Sequence, residues 1–189
     1  IAQGVEKVEP DTTCFAFVGD STFFASAITG VVNAVYNQAN MILVVLDNST
    51  TAMTGHQPHP GTGRTVMGEI VQKINIEQVL RGIGVTEIET INPLELEASV
   101  SCVKRMAEKS GVRAIIFKAP CIAVTKPKAP LHVDQDSCIG CKKCIRDLGC
   151  PAIVMNDGKV CIDASMCTGC HLCSQVCPVC AIAGGDDHE

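Results

Sequence analysis

The sequence contains few aromatic residues. Trp is absent, Tyr36 is the single tyrosine, and aromatic residues account for 3% of the 189 residues. Proteins that bind single-stranded nucleic acids stack the bases on aromatic side chains, so a surface of that class is not expected here. Basic residues (15) are also fewer than acidic residues (20), and the net charge of -5 argues against DNA or RNA as a partner.

Long apolar runs are missing as well. The longest strongly apolar run, residues 41–46, is far shorter than the roughly 20 residues that cross a membrane. The first ten residues have neither the basic start nor the apolar stretch of a signal peptide. Because the chain starts at Ile1 instead of Met, we expect it to be part of a longer protein.

Residues 1–119 alternate short β-branched runs with helical patterns. Residues 14–18 predict a buried strand, and Ser21 is expected to cap a helix that ends near Ala39. Residues 41–47 are apolar on both faces, which is typical of a strand inside a parallel sheet. The long loop that follows is rich in Thr, Gly, Pro and His, and loops of that length are usually functional or disordered.

The next segment completes an α/β pattern. It predicts helices at residues 76–81 and 92–110 and strands at residues 85–89 and 112–119. Strands that alternate with helices indicate a doubly wound, mainly parallel sheet with right-handed crossovers. Three prolines in residues 120–130 predict a linker between this domain and the remainder of the chain.

Cysteine, in contrast, is unusually abundant. Ten of the 13 cysteines lie between Cys138 and Cys180, in two copies of one motif, CIGCKKCIRDLGCP and CTGCHLCSQVCP. The second copy has the Cys-x2-Cys-x2-Cys-x3-Cys-Pro spacing with which bacterial ferredoxins bind two [4Fe-4S] clusters. In that arrangement the last cysteine of each copy binds the cluster of the other copy.

Two ligand sets follow from this spacing. Gly140 and Gly169 would let the backbone pass close to each cluster. The first copy has five residues before its last cysteine instead of three, which is tolerable because that ligand acts at a distance. The predicted sets are Cys138, Cys141, Cys144 and Cys177 for one cluster, and Cys167, Cys170, Cys173 and Cys150 for the other.

Residues 131–184 therefore resemble the two-[4Fe-4S] ferredoxins, which form a small α+β domain. The alternatives are zinc, whose sites usually show cysteines in pairs, and a disulfide framework. Cysteine spaced for metal ligation indicates a reducing compartment, here the cytoplasm. Residues 185–189 are expected to form a solvated acidic tail.

The remaining cysteines have no predicted ligand role. Cys161 lies in a strand-like segment and is expected to pack in the core, while Cys180 could compete with Cys177 as a ligand. The three cysteines of the first block are expected to be inert core residues; they are Cys14, Cys102 and Cys121.

A second motif lies in the α/β block. Gly19-Asp20-Ser21 follows the first predicted strand, and Asn48 follows the next one. The carboxyl ends of parallel strands meet at one edge of a sheet, where ligands bind, and Asp20 and Asn48 offer the oxygens that Mg²⁺ requires. The alternative is a purely structural role, in which Asp20 only caps a helix and Asn48 only closes a turn.

This motif resembles the diphosphate-binding motif of thiamine diphosphate enzymes. The resemblance implies thiamine diphosphate as cofactor, with Mg²⁺ held by Asp20, Asn48 and the backbone carbonyl of Thr50. Gly19 and Ser21 would belong to the same cofactor-binding loop. Ser21 is a departure, because the family usually has glycine there, and it affects the loop geometry rather than the metal ligands.

A thiamine domain followed by a two-cluster ferredoxin domain resembles the 2-oxoacid:ferredoxin oxidoreductases. Within them, the runs GDSTFFASAITGVVNAVYN and VLDNSTTAMTGHQPHPGTG are similar to the alpha subunit of the indolepyruvate ferredoxin oxidoreductases. The resemblance implies oxidative decarboxylation of aryl 2-oxo acids such as indolepyruvate, with coenzyme A taking the acyl group and external ferredoxin taking the electrons. It also implies a missing pyrimidine-binding domain or second subunit, which supplies the activating Glu.

Several roles stay open at this point. Met53 and Thr54 could line the thiazolium pocket, and His56 or His59 could hydrogen-bond diphosphate or substrate, or only fix the loop. His171 lies in a cluster loop and is not needed as a ligand. Two other functions remain as alternatives, an iron–sulfur electron-transfer subunit without thiamine chemistry of its own and a zinc-binding interaction module.

Overall fold

The computed structural model describes residues 1–156 and 158–184. The chain divides into two compact units between Val124 and Thr125, within the segment predicted as a linker. Among the described residues, no helix is long and apolar enough to cross a membrane. The predicted acidic tail, residues 185–189, lies outside the described residues.

The first unit is built on a four-stranded sheet in which every strand pair is parallel. Its strands are β1 (Cys14–Gly19), β2 (Met41–Asp47), β3 (Glu87–Ile91) and β4 (Val112–Lys118). They lie in the order β1-β2-β4-β3, so β2 and β4 occupy the centre. The helices are α1 (Ala2–Val8), α2 (Asp20–Thr22), α3 (Ile28–Tyr36), α4 (Ile76–Ile83) and α5 (Leu96–Glu108). This confirms the predicted α/β class.

The central strand β2 is buried on both faces, as its unbroken apolar sequence predicted. Side chains alternate along a strand, so Leu43 and Val45 pack with α3 and α4 on one face. Ile42 and Val44 pack with α5 on the other face. All four are at most 3% exposed. Helices therefore cover both faces of the sheet, which leaves its carboxyl edge as the place for a ligand.

The helix after β1 differs from its prediction. It begins at Asp20, so Ser21 lies inside it and makes no cap; the backbone N–H of Ser21 donates to Asp20 Oδ1 instead, at 2.8 Å. A π-helical turn (Phe23–Ala27) joins α2 to α3, and the helix ends at Tyr36. A π turn inside a helix often marks a functional site.

The predicted strand at residues 85–89 starts later, at Glu87. Gly84 ends α4 in the left-handed conformation, and the backbone N–H of Val85 donates to the carbonyl of Leu80 at 3.0 Å. The left-handed Gly84 and this hydrogen bond form a Schellman motif, so Val85 belongs to the end of the helix. The helix α1 was not predicted from the sequence.

The second unit is a small α+β unit, as predicted. Two antiparallel pairs and two short helices make it up: β5 (Leu131–Val133) with β8 (Ile182–Gly184), β6 (Ile153–Asn156) with β7 (Lys159–Ile162), α6 (Lys143–Leu148) and α7 (Leu172–Val176). Each helix follows one cysteine loop. Lys142 and His171 precede the helices at equivalent positions, both with positive φ, so the two motif copies have the same local backbone.

We expect Leu80→Ala to destabilise the first unit by about 2–5 kcal/mol, because the fully buried Leu80 leaves a cavity between α4 and the sheet. Val100→Ala, at a position 43% exposed, should change the unfolding free energy by less than about 0.5 kcal/mol. Urea unfolding followed by fluorescence of Tyr36 reports on the first unit alone, since the chain has no Trp and no other Tyr. Equal effects of the two substitutions would contradict this packing.

Candidate cofactor sites

The carboxyl edge of the sheet brings the predicted diphosphate motif together. Gly19 pairs with Leu46 in the parallel register of β1 and β2. The next residues, Asp20 and Asp47, therefore leave the sheet side by side, and Asn48 follows. The ends of β1 and β2 are distant in sequence and are neighbours here only because the helical crossover returns the chain to the same sheet.

Asp20 is the most distinctive group at this edge. Its residue exposure is 3%, and its Oδ1 accepts the hydrogen bond from Ser21. Its Oδ2 lies 3.1 Å from Nε2 of His59, yet neither atom has a hydrogen bond of acceptable geometry. A buried carboxylate oxygen without a donor is costly, and a cation would satisfy it.

His59 is held in place by two contacts. Its ring stacks on Phe24 with a centroid separation of 5.8 Å, and its Nδ1 accepts from the backbone N–H of Gly61 at 3.1 Å. Because Nδ1 is an acceptor, we assign the neutral ring with its proton on Nε2, the nitrogen beside Asp20. A Cβ on Gly61 would lie 3.0 Å from both rings, so a larger residue there would push against them.

Asn48 and Thr50 lie in a tightly bonded turn. The backbone N–H of Thr50 donates to Asn48 Oδ1 at 3.2 Å, and that of Ser49 donates to Asp47 Oδ1 at 3.0 Å. The backbone carbonyl of Asn48 accepts from Cys121 at 2.9 Å, and Thr50 is buried. The turn is therefore anchored from both sides, and the amide oxygen of Asn48 has a fixed direction.

The outer part of the loop is exposed. Met53 lies on a 3-10 turn (Ala52–Thr54) with its side chain fully exposed, and Thr54 and His56 are exposed as well. The structure thus buries His59, but not His56, beside the predicted metal ligand. Prolines on both sides of His59 restrict its backbone, but this local signal does not indicate which histidine lies beside Asp20.

The first predicted cysteine set lines one cavity. Cys138, Cys141, Cys144 and Cys177 all border an apolar cavity that Ile139 and Val179 help to close. Burial raises the pKa of Cys144, and the neighbouring Cys141 and Cys177 raise it further. Three cysteines of the first copy and the last cysteine of the second copy therefore lie together.

The second predicted set likewise combines three cysteines of one motif copy with the last cysteine of the other. Burial, together with the neighbouring Cys170, Cys167 and Cys150, raises the pKa of Cys173 to about 11. Cys150 comes from the first copy and the other three come from the second. Within the described residues, no three Cys, His, Asp or Glu side chains are close enough to hold a single metal ion.

Backbone N–H groups already point at two of these sulfurs. Leu131 donates to Sγ of Cys167 at 3.4 Å, and Ala181 donates to Sγ of Cys177 at 3.3 Å. Hydrogen bonds of this kind stabilise thiolate sulfurs and tune the potential of a cluster.

The other cysteines lie mostly where the sequence predicted. Cys14 and Cys102 are buried in the core of the first unit as predicted, whereas Cys121 and Cys161 are only partly buried. Cys180 is exposed, with a positive φ. None of the 13 cysteines, all of which are described, forms a disulfide.

Residues 1–117 match the family model of the thiamine pyrophosphate enzymes' C-terminal TPP binding domain. The chain belongs to this family. Its predicted resemblance to the indolepyruvate enzymes is confirmed by curated relatives. The indolepyruvate oxidoreductase subunit IorA of Methanothermobacter thermautotrophicus is 46% identical over 88% of the chain. The subunit IorA of Archaeoglobus fulgidus is 40% identical over 88% of the chain.

The chain spans 27% and 28% of the length of these two relatives. Among solved structures, the 2-oxoglutarate:ferredoxin oxidoreductase from Magnetococcus marinus is similar with a TM-score of 0.58 and 20% identity. This similarity covers 66% of the chain and 45% of that protein. At this identity it supports the fold alone.

The two cysteine loops make a matched glycine test possible. Gly140 and Gly169 have the same φ, +67° and +68°, but a Cβ on Gly169 would lie 2.6 Å from the carbonyl oxygen of Ala129, whereas Gly140 faces open space. Gly140→Ala should therefore cost only the left-handed strain of about 1–2 kcal/mol. Gly169→Ala should displace the second set and lose about half of the bound iron.

The measurement is iron content after anaerobic reconstitution of both variants and the unmodified chain. If both variants lose the same amount of iron, the close approach of Ala129 to the second loop is wrong.

Proposed function

We propose that this chain is the cofactor-anchoring and electron-carrying part of a thiamine-dependent 2-oxoacid oxidoreductase. The observation that carries the proposal is the buried Oδ2 of Asp20, which has no donor, at the carboxyl edge of a sheet of the thiamine pyrophosphate enzyme family. Asp20, Asn48 and the carbonyl of Thr50 would hold Mg²⁺, and the ion would hold the cofactor's diphosphate. The donors are all oxygens, as Mg²⁺ prefers.

The residues around Asp20 would orient and shield this site. The neutral ring of His59 keeps its Nε2 proton beside Asp20, so it can donate to a diphosphate oxygen without adding positive charge. Phe24 covers the ring and excludes water from that side. Bound thiamine diphosphate would supply the stabilised carbanion that 2-oxo acid decarboxylation requires, while the chain supplies binding and position.

The eight cysteines of the two ligand sets would hold two [4Fe-4S] clusters, one in each set. Such clusters accept single electrons, so they can receive in turn the two electrons that oxidation of a decarboxylated 2-oxo acid releases. The first set comprises Cys138, Cys141, Cys144 and Cys177, and the second comprises Cys167, Cys170, Cys173 and Cys150.

We infer an aryl 2-oxo acid as substrate class, with coenzyme A as acyl acceptor and ferredoxin as electron acceptor. The names of the relatives support the substrate class, since two are indolepyruvate oxidoreductase subunits, and the resemblance to the 2-oxoacid:ferredoxin oxidoreductases implies the two acceptors. The pyrimidine-binding part and the activating Glu would come from elsewhere in the complex. The chain alone should then bind one end of the cofactor and show no turnover.

The cofactor site predicts a thermal shift. Mg²⁺ with thiamine diphosphate, or with inorganic diphosphate, should stabilise the first unit by about 1.4 kcal/mol at ten times the dissociation constant. Asp20→Asn keeps the acceptor for Ser21 but removes the charge, and it should abolish the shift. Tyr36 fluorescence measures the melting of this unit.

Asp11→Asn, an exposed aspartate in the same unit, is the matched control and should keep the shift. No shift in the unmodified chain, even with the complete subunit, would favour an electron-transfer subunit without thiamine chemistry of its own.

The cluster assignment predicts a metal content. Anaerobically purified chain should contain about eight irons with equal acid-labile sulfide and a brown absorbance, since two cubanes hold four irons each. Cys161→Ser should leave this content unchanged, because Cys161 belongs to neither set. A colourless preparation with stoichiometric zinc would contradict the assignment and favour a zinc-binding interaction module.

A further inference from the structure

We propose that electrons leave the second unit on one side only, across a cationic face beside the first cysteine set, and that this face docks an acidic one-electron carrier protein. The cationic face is defined by Ile139, Cys141, Lys142, Lys143 and Arg146. The inference rests on the proposed function, because it takes the two ligand sets as cluster sites, and it adds which cluster faces the acceptor.

The first set is thinly covered at this face. Cys141 is exposed, and Ile139 beside it is 66% exposed although it lines the same cavity as the four thiols. Val179, another lining residue, is 37% exposed. A docked carrier could thus come close to this cluster without a conformational change.

The second set is covered by the chain itself. Residues 128–131 run across its loop: the backbone N–H of Lys128 donates to the carbonyl of Thr168 at 3.3 Å, and that of Leu131 donates to Cys167 Sγ. Gly169 lies so close to Ala129 that a methyl group would not fit between them. The protein layer over the second set would lengthen the electron path to any partner on this side.

The cationic face carries three basic side chains close together in sequence. Lys142, Lys143 and Arg146 are exposed within five positions, although the chain as a whole carries a charge of -5. Asp147 pairs with Lys143 at 2.6 Å. Arg146 donates only to the backbone carbonyl of Cys141, so its charge, like that of Lys142, has no carboxylate against it among the ion pairs of the described residues.

An apolar patch beside basic side chains fits an acidic partner. Ile139 and Val179 offer apolar contact next to the thiols, and the basic Lys142 lines the same cavity. Opposite charges at a rim mainly accelerate association and orient the partner. In the transfer, one electron passes from a reduced cluster to the oxidised carrier; no bond forms or breaks, and no proton moves with it.

The test uses the full chain with both clusters reconstituted and an oxidised, acidic two-[4Fe-4S] ferredoxin as probe. Binding is measured by calorimetry, and electron transfer from the prereduced chain is measured by anaerobic stopped-flow absorbance, each across a range of salt concentrations. Lys142→Glu combined with Arg146→Glu should weaken binding and slow the second-order transfer about tenfold at low salt, and the difference should shrink at high salt.

The control reverses the charge of two exposed lysines elsewhere in the same unit, Lys126→Glu with Lys159→Glu. It should change the binding affinity and the transfer rate less than twofold. The neutral pair Lys142→Gln with Arg146→Gln should give an intermediate loss, about threefold, which separates charge from damage to the α6 loop. Iron content and the EPR spectrum of the reduced clusters are recorded for each variant.

Three results would overturn the inference while leaving the proposed function intact. They are equal effects of the two reversed pairs, a larger effect of the control pair, and loss of iron in both α6-loop variants instead of loss of binding. Self-association of the chain through this face in place of ferredoxin binding would overturn it in favour of a second copy. Absence of iron from the unmodified chain would instead contradict the proposed function itself.

Discussion

The first unit depends on one buried group, the carboxylate of Asp20, which has one oxygen bonded to Ser21 and the other without a donor. A charge in such a place is tolerated only where a counter-charge or an ion completes it. The surrounding structure is arranged to keep it there. The register of β1 and β2 brings it to the edge of the sheet, and Phe24 and Gly61 hold His59 against it. The same arrangement is what a magnesium-diphosphate group would require.

The second unit is too small to build a large hydrophobic core of its own. In the proposed assignment the two copies of the cysteine motif exchange their last ligands, so that each set contains one cysteine from the other copy. Ligand sets that cross in this way would tie the two halves together, and metal binding would then contribute to folding. The copies are alike in backbone but not in surroundings, because residues 128–131 cover the second loop and leave the first exposed.

Local signals predicted much of both units. The continuous apolar run of β2 identified the centre of the sheet, because a strand buried on both faces needs no polar alternation. The errors are also local in origin. Ser21 is a good capping residue, but Asp20 begins the helix one position earlier, and Val85 has the composition of a strand but closes the Schellman motif of α4. In both cases the hydrogen bond that decides the boundary involves a neighbour that propensity does not weigh.

The sequence by itself predicted the two cysteine sets and the motif residues Asp20, Asn48 and Thr50, since fixed spacings along the chain carry that information. Only the tertiary structure decided that His59, and not His56, lies beside Asp20. That choice depends on Phe24, which is more than 30 residues away, and no periodicity relates a loop to a distant helix. The tertiary structure also decided which cysteine set is covered, because residues 128–131 cross a loop that lies much later in the sequence.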